Sequence, residues 1–281
     1  MQIKEVIRKG MIKLKTNGVD EPNVKARLLM QYILKKPREY ILVYDKEELT
    51  LRQEVNYFKG IKKLIEGVPL QHITKSQEFM KLNFYVDQDV LIPRPDTEIL
   101  VEEVIKIAKK VGAKKILDLC TGSGAIAVSL AKYIPNSKLT GVDISSKALR
   151  IAKLNARNNN VEGRITFISS NLFDNVPEEK YDIIVSNPPY IKSKIIRTLN
   201  KDVQNEPKIA LDGGFDGLDF YRKIIKKADE YLKFGGFLCL EIGFDQREEV
   251  MKLIEEEGKF QNTYSKKDLC DNDRIVITKL Y

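Results

Sequence analysis

A chain of 281 residues, 43% hydrophobic and 31% charged, has material for a full core and for two domains. No apolar run reaches membrane-spanning length and residues 1–15 hold no apolar signal core, so the expected location is cytoplasmic, with no membrane partner. Three widely spaced cysteines, Cys120, Cys239 and Cys270, and a single histidine, His72, leave no metal site, no disulfide framework and little for histidine-based acid–base chemistry, while the formal charge of +8 favours an anionic partner such as ribosome, RNA or an acidic protein.

Residues 1–75 read as a small helical bundle. Ile3, Val6, Ile7, Met11 and Leu14 follow the helical period, and Asn17-Gly18 ends that helix. Asp20 and Pro22 open a second helix, with Leu28, Leu29, Tyr32 and Ile33 on its apolar side. Pro37 starts a short third segment. Thr50 with Gln53 forms a capping-box pattern ahead of Leu51, Val55, Phe58, Ile61, Leu64 and Ile65. Tyr32, Tyr40, Tyr44, Tyr57 and Phe58 are expected in the bundle core. Nothing here looks catalytic, which leaves packing or partner recognition.

Gly67-Val68-Pro69 breaks the helical pattern. Residues 76–92 read as a β-hairpin connector, with Phe79, Leu82, Phe84, Val86 and Val90 alternating with polar residues. Pro93-Arg94-Pro95 is a rigid turn that projects Arg94. Asp96 or Thr97 is the expected cap of a helix over residues 98–111.

From residue 93 to 281 strands and helices alternate. Strands are expected at residues 116–119, 139–143, 165–168, 183–185, 236–242 and 274–278, with helices between them. This pattern predicts an α/β fold with a doubly wound, mostly parallel sheet.

Two stretches carry chemistry. At the first strand-to-helix turn, Cys120-Thr121-Gly122-Ser123-Gly124 lets backbone approach a ligand closely. Asp143 ends the next strand, from which a carboxylate reaches both hydroxyls of a ribose. Together they fit an adenosine-containing cofactor. The third glycine of a dinucleotide fingerprint would fall at Ala127, and no pyrophosphate-binding Lys or Arg stands nearby. That favours S-adenosylmethionine over NAD.

The second stretch is Ser186-Asn187-Pro188-Pro189-Tyr190, after the apolar strand Ile183-Ile184-Val185. Pro-Pro stops the strand and stiffens the loop. An amide or aromatic amino nitrogen is a poor nucleophile because its lone pair is delocalised. The Asn187 side-chain oxygen and the Pro188 carbonyl are two acceptors that can hold such a nitrogen by its N–H groups, and Tyr190 can stack on the flat group. The plainer reading is an ordinary strand-ending turn.

With these motifs in place, the chain resembles the PrmC/HemK family of protein-(glutamine-N5) methyltransferases. The resemblance rests on Gly67 to Ile73, on Leu91 to Glu98, on Asp118 to Ala125, on Gly141-Val142-Asp143 and on Ser186 to Ile191. It continues through Glu206-Pro207, Ala210 to Gly214, Asp216 to Leu218, Glu241 to Gly243 with Gln246, Lys267-Asp268 and Asp273-Arg274. It implies a class I, Rossmann-like methyltransferase domain and, as substrate, the glutamine of the Gly-Gly-Gln motif in class 1 peptide-chain release factors, in a setting close to the ribosome. Asn187 and Pro188 would be catalytic, with Pro189 and Tyr190 shaping the glutamine pocket. Thr121 to Gly124 would lie against the methionine part, Asn171, Leu172 and Phe173 near the adenine, and Arg94 and Thr97 would close the cofactor site. Four departures from the family pattern stand out: Asn171 where an acid is common, and Lys75, Lys81 and Cys120 where glycine is frequent. The competing reading is an amino-group methyltransferase acting on a nucleic-acid base, which shares the Asn-Pro-Pro-Tyr loop. Its base-gripping domain is not evident here, so no obligate nucleic acid is expected.

Overall fold

The computed structural model describes residues 1–281 in full. They form two compact units, Met1–Ser76 with Leu199–Asn205, and Gln77–Thr198 with Glu206–Tyr281. No helix is long and apolar enough to cross a membrane.

The first unit is helical: α1 (Ile3–Thr16), α2 (Pro22–Leu34), α3 (Arg38–Val43), α4 (Leu51–Ile65) and α5 (Leu70–Thr74). The capping box before α4 is made, with Thr50 N–H donating to Gln53 Oε1 at 2.9 Å and Gln53 N–H to Thr50 Oγ1 at 3.3 Å. Ile3, Val6, Leu14, Leu29, Met30, Tyr57 and Ile61 fill the core. Several expected core residues lie outside it. Tyr32 and Tyr44 are 43% and 53% exposed, and Leu28, Leu51 and Val55 also face solvent. The physical reason is that α2 and α4 carry more apolar residues than one face can bury, so period alone could not choose the buried side. Tyr57 and Gly60 settle it: Tyr57 lies against Gly10, Gly60 against Leu29, and neither glycine has room for a Cβ.

Residues 199–205, far along the chain, belong to this unit. Asn205 Nδ2 donates to the Gly67 carbonyl at 3.0 Å. Gly67 has φ +87°, and a Cβ there would meet Lys201 Cβ at 2.9 Å. Both facts require glycine in the Gly67-Val68-Pro69 break.

The second unit opens with the hairpin β1 (Gln77–Phe79) and β2 (Leu82–Phe84). Its two turn residues, Met80 and Lys81, have φ 50° and 57°, and Lys75 has φ 58°. The tight turn therefore forms without glycine, and the family preference for glycine at Lys75 and Lys81 has a direct cause. Next come α6 (Pro95–Val111), β3 (Lys115–Leu119), α7 (Ala125–Tyr133), β4 (Lys138–Asp143), α8 (Ser146–Asn158), β5 (Ile165–Ser169) and β6 (Tyr181–Ser186). After the excursion that contains α9 (Lys201–Gln204), the chain continues with α10 (Asp219–Tyr231), β7 (Leu232–Glu241), α11 (Arg247–Glu257), β8 (Phe260–Lys267) and β9 (Asp273–Leu280).

The cap of α6 differs from expectation. Arg94 is its N-cap and Pro95 occupies the first turn, with no side-chain cap from Asp96 or Thr97. Proline at the first helical position needs no hydrogen bond and presets φ, so the helix starts before residue 98 and frees Thr97 for another role.

The seven strands run in the order β5-β4-β3-β6-β7-β9-β8. β3 to β7 are parallel; β9 pairs antiparallel with β7 and β8 antiparallel with β9. Alternate residues face opposite layers, as a doubly wound sheet requires. Ile116, Ile183, Val185 and Cys239 pack with α6 and α7, while Leu117, Ile184, Leu238 and Leu240 pack with α10 and α11. β8 was not expected from the sequence. It is a polar edge strand with Asn262 at φ 55° and a register shift between Gln261 and Tyr264, which obscure strict alternation.

Candidate active site

Register brings the predicted residues to one level. Leu119 pairs with Val142 of β4 and with Ser186 of β6. The next residue along each strand is therefore Cys120, Asp143 or Asn187, all at the carboxyl edge where the strand order reverses. Ser186 Oγ donates to the Leu119 carbonyl at 2.8 Å, tying the central two ends together.

A cavity opens at this edge. Cys120, Gly122, Asp143, Asn171, Leu172, Asn187 and Pro189 line it, together with Val90, Ile144, Ser170, Pro207, Ile209 and Phe220. Of the second set, Val90 stood in the connector and Pro207 in the family resemblance; Ile144, Ser170, Ile209 and Phe220 carried no sequence signal. Thr121, Ser123, Gly124, Phe173, Pro188, Tyr190, Arg94 and Thr97 are not on the cavity wall. Phe173 is buried and stacks on Tyr231 with ring centroids 4.6 Å apart. Thr121 donates to Asp118 Oδ2 at 2.6 Å. Gly124, at φ +80°, packs against Ala152 of α8 with no room for a Cβ.

The glycine turn is wound through the left-handed region. Cys120 has φ 59° and Gly122 φ 55°. Cys120 thus occupies a conformation that costs an L-residue about 1–2 kcal/mol, which explains why glycine is frequent there. Asp143 holds the turn: its Oδ2 accepts from Gly122 N–H at 2.8 Å and its Oδ1 from Ser145 N–H at 2.8 Å. Asn171 Nδ2 donates to Asp174 at 3.2 Å, so its Oδ1 remains an acceptor at the cavity rim.

The segment 206–217, prominent in the family resemblance, shapes the Asn187 loop. Glu206 pairs with Arg94 and accepts from Ile92 N–H at 2.8 Å, fixing the start of the wall formed by Pro207, Ile209 and Ala210. Ile191 N–H donates to the Leu211 carbonyl and Gly213 N–H to the Ile191 carbonyl, each at 2.9 Å. Gln246 Nε2 reaches the Tyr190 carbonyl at 3.0 Å. A Cβ on Gly213 would sit 2.7 Å from Tyr190 Cα and 2.8 Å from the Pro189 carbonyl oxygen. Gly213→Ala should therefore cost about 2 kcal/mol and displace the loop. We expect urea denaturation to show that loss, and turnover to fall further than cofactor affinity does; unchanged turnover would mean the loop tolerates the shift.

Comparison with known proteins follows the same division of the chain. A profile described as PrmC N-terminal domain matches residues 5–74, and one described as Methyltransferase small domain matches residues 95–214. The release factor glutamine methyltransferase of Clostridium acetobutylicum is 42% identical over 99% of this chain and 98% of its own length. That of Moorella thermoacetica is 38% identical over 99% and 98%. The chain belongs to the release factor glutamine methyltransferase family. A solved structure of a Pyrococcus furiosus methyltransferase, 20% identical, aligns over 79% of this chain and 98% of that one with a TM-score of 0.52, which shares the fold.

Family and fold imply use of S-adenosylmethionine, and the residues of this family member fit such a cation. No Lys or Arg lines the cavity, whereas Asp143 does, as does Asp89, whose charge Lys147 and Arg150 meet from behind. Beneath the glycine turn Asp118 is fully buried, and its Oδ1 makes no hydrogen bond. Burial pushes the Asp118 carboxyl up to about 7, against the Thr121 hydroxyl and the Ala127 N–H, with the Asp143 charge adding to the rise. Such a site is suited to a positive ligand and poorly suited to a pyrophosphate. Because the folded-state pKa lies above the unfolded value, this group's stabilisation is full below the ordinary carboxylate range and is lost as pH rises through about 7. Asp118→Asn removes the titration. Its stability relative to wild type should rise between about pH 5 and about pH 8 by roughly 3 kcal/mol. Urea midpoints at the two pH values measure this; a constant difference would refute it.

Proposed function

We propose that the chain transfers a methyl group from S-adenosylmethionine to the side-chain amide nitrogen of the glutamine in the Gly-Gly-Gln motif of class 1 release factors. The observation that carries this reading is the state of Asn187. Its Nδ2 is committed to Thr97 Oγ1 at 3.2 Å, so Oδ1 is left as the accepting atom at the cavity edge.

S-adenosylmethionine supplies an electrophilic methyl group on a sulfonium. The chain supplies position. Asn187 Oδ1 and the Pro188 carbonyl each accept one hydrogen of the amide NH2, fixing the nitrogen and turning its lone pair toward the methyl. Pro188 and Pro189 keep this loop stiff. Tyr190 flanks the amide; burial holds its hydroxyl well above its ordinary pKa, so it stays protonated and donates to Glu241. No strong base is needed, because the amide proton becomes acidic as the N–C bond forms and leaves to water. His72 lies in α5 of the other unit. Asp143 takes the ribose hydroxyls, Cys120 and Gly122 the methionine part, and Asn171 and Leu172 bound the adenine, with Thr121, Ser123, Gly124 and Phe173 supporting them from behind the wall. Arg94 holds the 206–210 wall through Glu206. We assign recognition of the release factor, free or near the ribosome, to residues 1–75, and the hairpin of residues 76–92 to linking them with the catalytic residues 93–281.

The test is a competition. Methyl-labelled cofactor is incubated with the protein, a purified class 1 release factor and total RNA. Label should enter the factor and be lost when the motif glutamine is replaced by alanine. Label in RNA, with none in the factor, would favour base methylation and overturn the assignment.

A further inference from the structure

An asparagine amide can present either its oxygen or its NH2 outward, and only the first serves the transfer proposed above, on which this inference rests. We propose that Thr97 and Glu241 are positioning residues that fix the Asn187 amide with Oδ1 toward the substrate. Thr97, in the first turn of α6, is 4% exposed and accepts from Asn187 Nδ2 at 3.2 Å. Its own proton then needs an acceptor, because a buried polar group left unpaired costs about 1–3 kcal/mol.

Glu241 provides it. This residue ends β7 and is 1% exposed. Its Oε1 accepts from Tyr190 Oη at 3.3 Å, while Oε2 is buried and makes no hydrogen bond. The Thr97 hydroxyl acts on the same carboxylate and draws its pKa down against burial. An ionised carboxylate can only accept. The direction propagates once the unpartnered Oε2 takes the Thr97 proton: Thr97 then accepts from Asn187 Nδ2 at 3.2 Å, and Oδ1 is left facing out. If Glu241 becomes a donor, the chain reverses. Thr97 would donate to Asn187 Oδ1, and the NH2 would meet the NH2 of the substrate, donor against donor.

The charged and titratable groups facing Glu241 are Asp96 from α6, Tyr190 after β6, Tyr221 from α10 and Arg274 from β9. Burial, the largest influence, places its carboxyl at about 7, so the reversal falls within the working pH range.

Three variants test the relay. Thr97→Val keeps the shape and removes the hydroxyl; kcat should fall roughly 30-fold, with cofactor affinity within about twofold of wild type. Thr97→Ser restores the hydroxyl and should return kcat to within about threefold. Wild-type kcat should decline on the acid side of about pH 7, and Glu241→Gln should flatten that decline. A Thr97→Val enzyme with wild-type kcat, a serine variant no better than valine, or an acid limb that survives in Glu241→Gln would each overturn the proposal. If Thr97→Val does not fold, the serine rescue and the pH profile decide. Failure of the function reading looks different: wild type itself would methylate no glutamine, which would end both.

Discussion

Asn187→Ala should lower turnover by roughly a thousandfold while cofactor affinity stays within a few-fold. The size follows from the chemistry. The sulfonium is already a good leaving group, so the protein contributes chiefly by holding a weak nucleophile in line. Removing Oδ1 takes away one of the two proposed acceptors and leaves Thr97 Oγ1 without the Nδ2 donor that lies 3.2 Å from it. The strand ends should keep their places, because Ser186 remains bonded to the Leu119 carbonyl and Gly213 still backs the loop. Asn187→Asp is the sharper comparison. It keeps an acceptor, but adds a negative charge that would bond Thr97 in place of an NH2, and it should be nearly as impaired. Steady-state rates with a release factor, alongside calorimetric cofactor titration, measure both. Near wild-type turnover in Asn187→Ala would remove Asn187 from the mechanism.

Asp143→Ala should act on the opposite property. If Asp143 takes two ribose hydroxyls as proposed, its loss removes charge-assisted hydrogen bonds worth about 3 kcal/mol together, a weakening of roughly a hundredfold in cofactor affinity. The same substitution frees Gly122 N–H and Ser145 N–H, so the glycine turn should loosen as well. Asp143→Asn retains an acceptor and should lose less. At saturating cofactor, turnover of Asp143→Asn should recover most of its wild-type value, since the residue does not touch the reacting nitrogen. An Asp143→Ala protein with unchanged cofactor affinity would place the ribose elsewhere.

Much of this was legible in the chain because strong local signals coincide with tertiary constraint. Apolar runs bounded by glycine and proline marked the buried parallel strands, and Asp143 and Asn187 each follow such a run, so their shared edge follows from the parallel topology. The hairpin turn at Met80-Lys81 and the left-handed Cys120 show why glycine is usual at such sites, through φ values that the sequence does not print. The parts that escaped are those set by packing between distant segments. Tyr32 and Tyr44 look like core residues by composition, but Tyr32 lies on the surplus apolar side of α2 and Tyr44 sits just past the end of α3. β8 hides behind a bulge. Glu241 and Gln246 stood out only as similar to the family; their contacts with Tyr190 bridge 51 and 56 positions of sequence. An acid closing an otherwise apolar strand, as in Leu238-Cys239-Leu240-Glu241, is the signal that could have pointed to a buried functional carboxylate.

The most direct measurement is a crystal structure of the protein with S-adenosylhomocysteine and a Gly-Gly-Gln peptide. The account requires the glutamine nitrogen to lie within hydrogen-bond distance of both Asn187 Oδ1 and the Pro188 carbonyl, facing the sulfur, with Asn187 Nδ2 still on Thr97. A glutamine bound elsewhere, or an Asn187 whose oxygen is turned to Thr97, would contradict it.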